Sequence, residues 1–74
     1  MRWHHVRAQQ PFGLTERQAE AVALLIKHGA EKVVAREMGI DRLSANRLLR
    51  KAQETMGVRT RVHLVVKWVK EKGA

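Results

Sequence analysis

From Arg42 to Lys51 the chain reads RLSANRLLRK, and in helical projection Arg42, Asn46, Arg47, Arg50 and Lys51 gather away from Ala45, Leu48 and Leu49. These side chains can read nucleic acid. An asparagine amide bonds adenine bidentately, an arginine guanidinium does the same to the O6 and N7 of guanine, and each good pair discriminates by about 1–3 kcal/mol. Asn46, Arg47 and Arg50 are therefore the candidate base contacts. Arg42, Ser44 and Lys51 at the edges of the face, with Arg59 and Arg61 beyond it, are candidates for phosphate contact, which is independent of sequence and sensitive to salt. Leu43, exposed by its periodicity, can touch a thymine methyl or stand as a tolerated surface leucine. The plain alternative for such a cluster is a solvated charged face.

Other chemistry is harder to assemble. The sequence offers no Ser-His-Asp or Cys-His set, no Gly-rich phosphate loop and no paired carboxylates in a plausible pocket, so no enzyme is expected. His4, His5, His28 and His63 are scattered over an arm, a helix end and the last helix, whereas a metal site needs three or four converging donors. No metal or other cofactor is expected.

Composition narrows the partners. Fifteen Lys and Arg against seven Asp and Glu give a formal charge of +8 in 74 residues, which favours a polyanion, nucleic acid ahead of a membrane surface. A domain of this size buries only about 60% of its unfolded surface, and without cysteine its stability must come from packing, capping and self-association. No apolar run approaches the roughly 18 residues of a membrane span, and Met1 to Gln10 lacks the apolar stretch of a signal peptide. The chain is expected to stay in the cytoplasm, associated with the nucleoid, with no membrane partner.

The elements that must position the cationic face are legible from capping and periodicity. Residues 1–13 lack periodicity and read as a flexible basic arm, in which Trp3 with Arg2 and Arg7 can track a minor groove. Thr15 and Gln18 form a capping box, opening a helix from Glu16 to about His28 with Ala19, Val22, Leu25 and Ile26 inward and Gly29 as its stop. A shorter helix, Glu31 to Met38, buries Val34, Ala35 and Met38. Asp41 caps a third from Arg42 to about Met56, with Ala45, Leu48, Leu49, Ala52 and Met56 as its inner stripe. Thr60 caps a fourth, Arg61 to about Lys72, whose apolar set is Val62, Val65, Val66 and Val69.

A short helix, the turn Gly39-Ile40-Asp41 and a longer helix with a cationic outer face match the helix-turn-helix, which places its second helix in the major groove. The chain here resembles the LuxR/GerE-type DNA-binding domain, through Leu14-Thr15-x-Arg17-Gln18-x-Glu20, Ala35-x-x-Met38-Gly39-Ile40 and Gly57-Val58-x-x-Arg61. The resemblance runs without a gap from Leu14 to about Val66. It implies four helices, the second and third forming the helix-turn-helix and the fourth pairing two copies on DNA, with bases read from the positions of Asn46, Arg47 and Arg50. Asn46 replaces the family's lysine and Leu48 its histidine, and His28 stands at a usual glycine. The sigma-factor region 4 domain shares the opening and the turn but typically lacks the Gly57-Val58-x-x-Arg61 step.

The fourth helix carries more apolar surface than one small core needs, which points to a dimer interface of Val62, Val65, Val66, Trp68 and Val69. Trp68 either anchors that seam or closes the monomer core, and the surplus favours the seam. The expected architecture is all-α: residues 14–74 form a four-helix, bundle-like domain with a helix-turn-helix and a C-terminal dimerisation helix. The expected function is a free-standing, homodimeric, sequence-specific regulator of transcription bound to duplex DNA. Two alternatives stand beside it: a protein-interaction module that binds and inhibits or redirects a host transcription regulator or RNA polymerase, and a sigma region 4-like module.

Overall fold

A computed structural model describes residues 13–72, and the described chain is all-helical. Its four helices are α1 (Glu16–His28), α2 (Glu31–Met38), α3 (Arg42–Met56) and α4 (Arg61–Lys72). The arm expected over residues 1–13 lies outside the described residues except for Gly13, and so do His4 and His5.

Each boundary has a local cause. At Thr15 both halves of the capping box form, Gln18 donating its amide to Thr15 Oγ1 and Thr15 its amide to Gln18 Oε1, each at 3.1 Å. Asp41 Oδ1 accepts from the Ser44 amide at 3.0 Å, and Thr60 Oγ1 accepts from His63 at 3.0 Å. α2 begins at Ala30 without a side-chain cap, leaving the acidic Glu31 to favour its positive end. α2 and α3 stop in the same way. Gly39 takes φ +70° and bonds back to Arg36, while the next amide, Ile40, bonds to Ala35 at 3.0 Å. Gly57 and Val58 repeat this on Glu54 and Gln53, so two Gly-aliphatic pairs close two helices by one 6→1 and 5→2 pattern. The left-handed backbone at Gly39 explains its residue type, since a Cβ there meets nothing within 4 Å and would suffer only conformational strain.

Packing turns these helices into one molecule. α1, α2 and α3 pack against one another, and α4 leans chiefly on α3. The buried centre is Val22 of α1, Val34 of α2, Leu49 of α3 and Leu64 of α4, sealed by Ala21, Ala45, Ala52, Met56 and others. Ala45 and Ala52 have no exposed surface, as small residues must where helices approach closely. Lys67 Nζ donates to the Met56 carbonyl at 3.0 Å, so a cation from α4 satisfies the C-terminal end of α3.

α4 departs from the sequence pattern. Its buried stripe is Leu64 and Trp68, one turn apart, while Val65 and Val69 are half-buried and Val62 and Val66 face solvent at 69% and 48% exposure. The reason is geometric. α4 lies at the edge of the molecule, so only a narrow stripe meets α3, and the longer Leu and Trp side chains fill that space better than valine. Trp68, 8% exposed, closes the chain's own core; the expectation that it anchors a seam between two copies is corrected.

Leu49→Ala should cost about 2–5 kcal/mol through the cavity it leaves, comparable to the whole stability of so small a domain. Val66→Ala should fall within about 0.5 kcal/mol of the parent. Urea unfolding followed by circular dichroism distinguishes them, and equal losses would contradict the assignment of the core.

Candidate functional site

The outward face of α3 follows from its inward one. Ala45, Leu49, Ala52 and Met56 are buried, and the residues two positions before each, Leu43, Arg47, Arg50 and Glu54, are all exposed. Two residues are about 200° of helical rotation, so the two stripes lie back to back on one cylinder. Leu43 reaches 57% exposure, a large aliphatic side chain presented beside two guanidinium groups. Arg42 and Lys51 are exposed at the flanks, with Lys51 only 3.7 Å from Glu54 in a wet pair that contributes little. Leu48, expected in the inner stripe, is half-buried at its margin.

The start of α3 is fixed electrostatically. Hydrogen bonding from the side chain and then the amide of Ser44 holds the Asp41 carboxyl below its ordinary value, with nearby Arg47 adding a smaller pull. Ser44, expected on phosphate, is half-buried, and its amide is taken up by this cap.

Asn46 and Arg61 are placed differently from the expectation. Both reach Glu31 on α2: Arg61 Nε and Nη2 lie 3.0 Å from Glu31 Oε2, and Asn46 Nδ2 donates to Oε1 at 3.3 Å. One carboxylate thus joins α2, α3 and α4. The Glu31 and Arg61 side chains are 25% and 27% exposed, dry enough for the pair to matter more than a surface ion pair. Asn46 lies between the inner and outer faces of α3, so its amide is committed to a neighbouring helix rather than turned outward like Arg47 and Arg50.

Arg59, in the link between α3 and α4, is exposed. Val62, Val65 and Val66 line an open groove of about 350 Å³ with Leu25, Ile26 and Arg61, whereas Trp68 is not part of it. Among the described residues no group of three or more metal-ligating side chains converges, and no helix is long and apolar enough to cross a membrane. Glu31 and Lys67 were the residues missed. A first-turn glutamate after an uncapped alanine was the one visible hint for Glu31, and its partners at 15 and 30 residues' separation leave no local pattern.

No protein family, curated protein or solved structure matches this chain. Its functional reading rests on its own geometry and charge.

Glu31→Ala should lower stability by about 1–2 kcal/mol, roughly 5–15 °C in melting temperature, with Glu31→Gln intermediate because its amide oxygen still accepts. No change in melting would mean that the three-helix contact contributes nothing. Asp41 has a lowered pKa in the fold, so its stabilisation is complete above about pH 4, the unfolded value, and is lost as pH falls through the folded one. Asp41→Asn, which caps without titrating, should flatten the stability profile below pH 4; a profile identical to the parent's would assign the acid sensitivity elsewhere.

Proposed function

We propose that this chain is a sequence-specific duplex DNA-binding regulator of transcription, in which α2, the turn Gly39–Asp41 and α3 act as a helix-turn-helix and α3 enters the major groove. The observation that carries the reading is the ridge of Leu43, Arg47 and Arg50, back to back with the buried stripe of α3. Arg47 and Arg50 suit guanine O6 and N7, and Leu43 suits a thymine methyl. Asn46, held on Glu31, orients α3 rather than reading a base. The charge of +8 supports attraction to a polyanion, and the motif resemblance to LuxR/GerE-type domains points the same way.

A single module of this size buries a modest area on DNA, and pairing two copies over inverted half-sites raises affinity and specificity together. Val62 and Val66, exposed beside the groove formed with Leu25 and Ile26, supply an apolar face for that pairing. Arg59, Arg42 and Lys51 are then phosphate contacts. The same apolar face suits a different protein, such as RNA polymerase or another regulator, which makes oligomeric state part of the test.

Selection from a randomised duplex library at two salt concentrations should enrich one motif with two inverted half-sites. Arg50→Ala should relax one position in each half-site by roughly 5- to 150-fold, the equivalent of about 1–3 kcal/mol. Val62→Glu should leave the fold intact but yield monomers in sedimentation. Weak, motif-free binding that vanishes with salt would overturn the groove-reading proposal, and a monomeric parent would remove the pairing.

A further inference from the structure

A second groove runs between α1 and α3, an open depression of about 480 Å³ that touches the reading ridge. Arg17 lines it from α1; Arg47, Leu48 and Lys51 line it from α3, and Ile40 from the turn. Three of its lining side chains are cationic and none is acidic. The cations are loosely held. Arg17 has Glu20 at 3.9 Å and Lys51 has Glu54 at 3.7 Å, each pair more than half exposed, so a stronger acceptor can replace the carboxylates at little cost.

Arg47 belongs to both the ridge and this groove, which fixes what lies beside the bases. A duplex set against Leu43, Arg47 and Arg50 carries its sugar–phosphate backbone along the flank of α3, across the mouth of the groove. We infer that Arg17 is a ligand for a backbone phosphodiester, completing with Lys51 a cationic seat that brings α1 into the DNA contact. The guanidinium fork matches two phosphate oxygens, and the apolar side chains of Ile40 and Leu48 suit the face of a deoxyribose. An anchor on α1, a helix separate from the reading helix, sets how α3 is aligned in the major groove without specifying any base. The inference rests on the DNA-binding reading above and adds a contact outside the recognition helix.

The test is fluorescence anisotropy of the full chain on its selected duplex from 50 to 200 mM salt, for the parent, Arg17→Gln, Arg17→Lys and the remote control Lys70→Gln. Melting curves should stay within a few degrees for all four. Arg17→Gln should reduce the slope of log affinity against log salt by ~0.9, so that its affinity falls about threefold less than the parent's over that range. Its selected motif should be unchanged, and Arg17→Lys should restore most of the slope. An Arg17→Gln slope equal to the parent's, while the parent still selects a motif, would overturn the phosphate seat and leave the reading ridge standing. Absence of any motif for the parent would remove both. A loss in Lys70→Gln as large as that in Arg17→Gln would reduce the effect to net charge and overturn the inference equally.

Discussion

The molecule depends on burial of one face of α3. Leu49 is among its few large, fully enclosed side chains, and Ala45, Ala52 and Met56 extend the same stripe along the helix while the other three helices pack on or around it. Apart from exposed Leu43 and half-buried Leu48, α3 gives its large apolar side chains to this small core. Its opposite face is left to water by the same constraint, so the exposure of Arg47 and Arg50 follows from packing. Whatever that face contacts is met by a helix whose rotation about its own axis is set from behind.

A second constraint acts from the side. Glu31 draws Asn46 and Arg61 to itself, and Lys67 reaches the last turn of α3. The Arg61 and Lys67 contacts each use a charge to hold α4, whose apolar packing is deepest at Leu64 and Trp68 and shallower at Val65 and Val69. The Glu31 tie also alters the local charge: it pairs the guanidinium of Arg61 and turns the Asn46 amide inward. The exposed positive charge of α3 lies on Arg42, Arg47, Arg50 and Lys51, the last of these 3.7 Å from Glu54.

Much of the fold was legible because its causes are local. The capping box at Thr15 and Gln18, the caps at Asp41 and Thr60 and the two Gly-aliphatic stops are encoded within a few residues of where they act. The helix limits followed from them. The rotation of α4 was not legible, because its six apolar residues permit more than one inner stripe and only packing against the rest of the molecule selects Leu64 and Trp68. For the same reason the surplus of apolar surface was visible, but of the five residues expected to carry it Val62 and Val66 are exposed whereas Trp68 is buried in the chain's own core. The ridge on α3 was read nearly as it stands, except that Asn46 turns toward a glutamate 15 positions away. Such a long-range polar contact has no periodic signature in the chain.

The caps have a consequence in time as well as in space. Because each helix carries its own start signal or stop signal, and turns of a few residues join neighbours that pack together, most ordering needs little loop closure and belongs to the fast regime of helical domains. α4 differs from the other three, held at the molecule's margin by two buried side chains, two half-buried valines and two polar ties. Its amides are therefore expected to open to solvent with the least work, giving a domain whose cationic α3 face stays ordered while its last helix breathes.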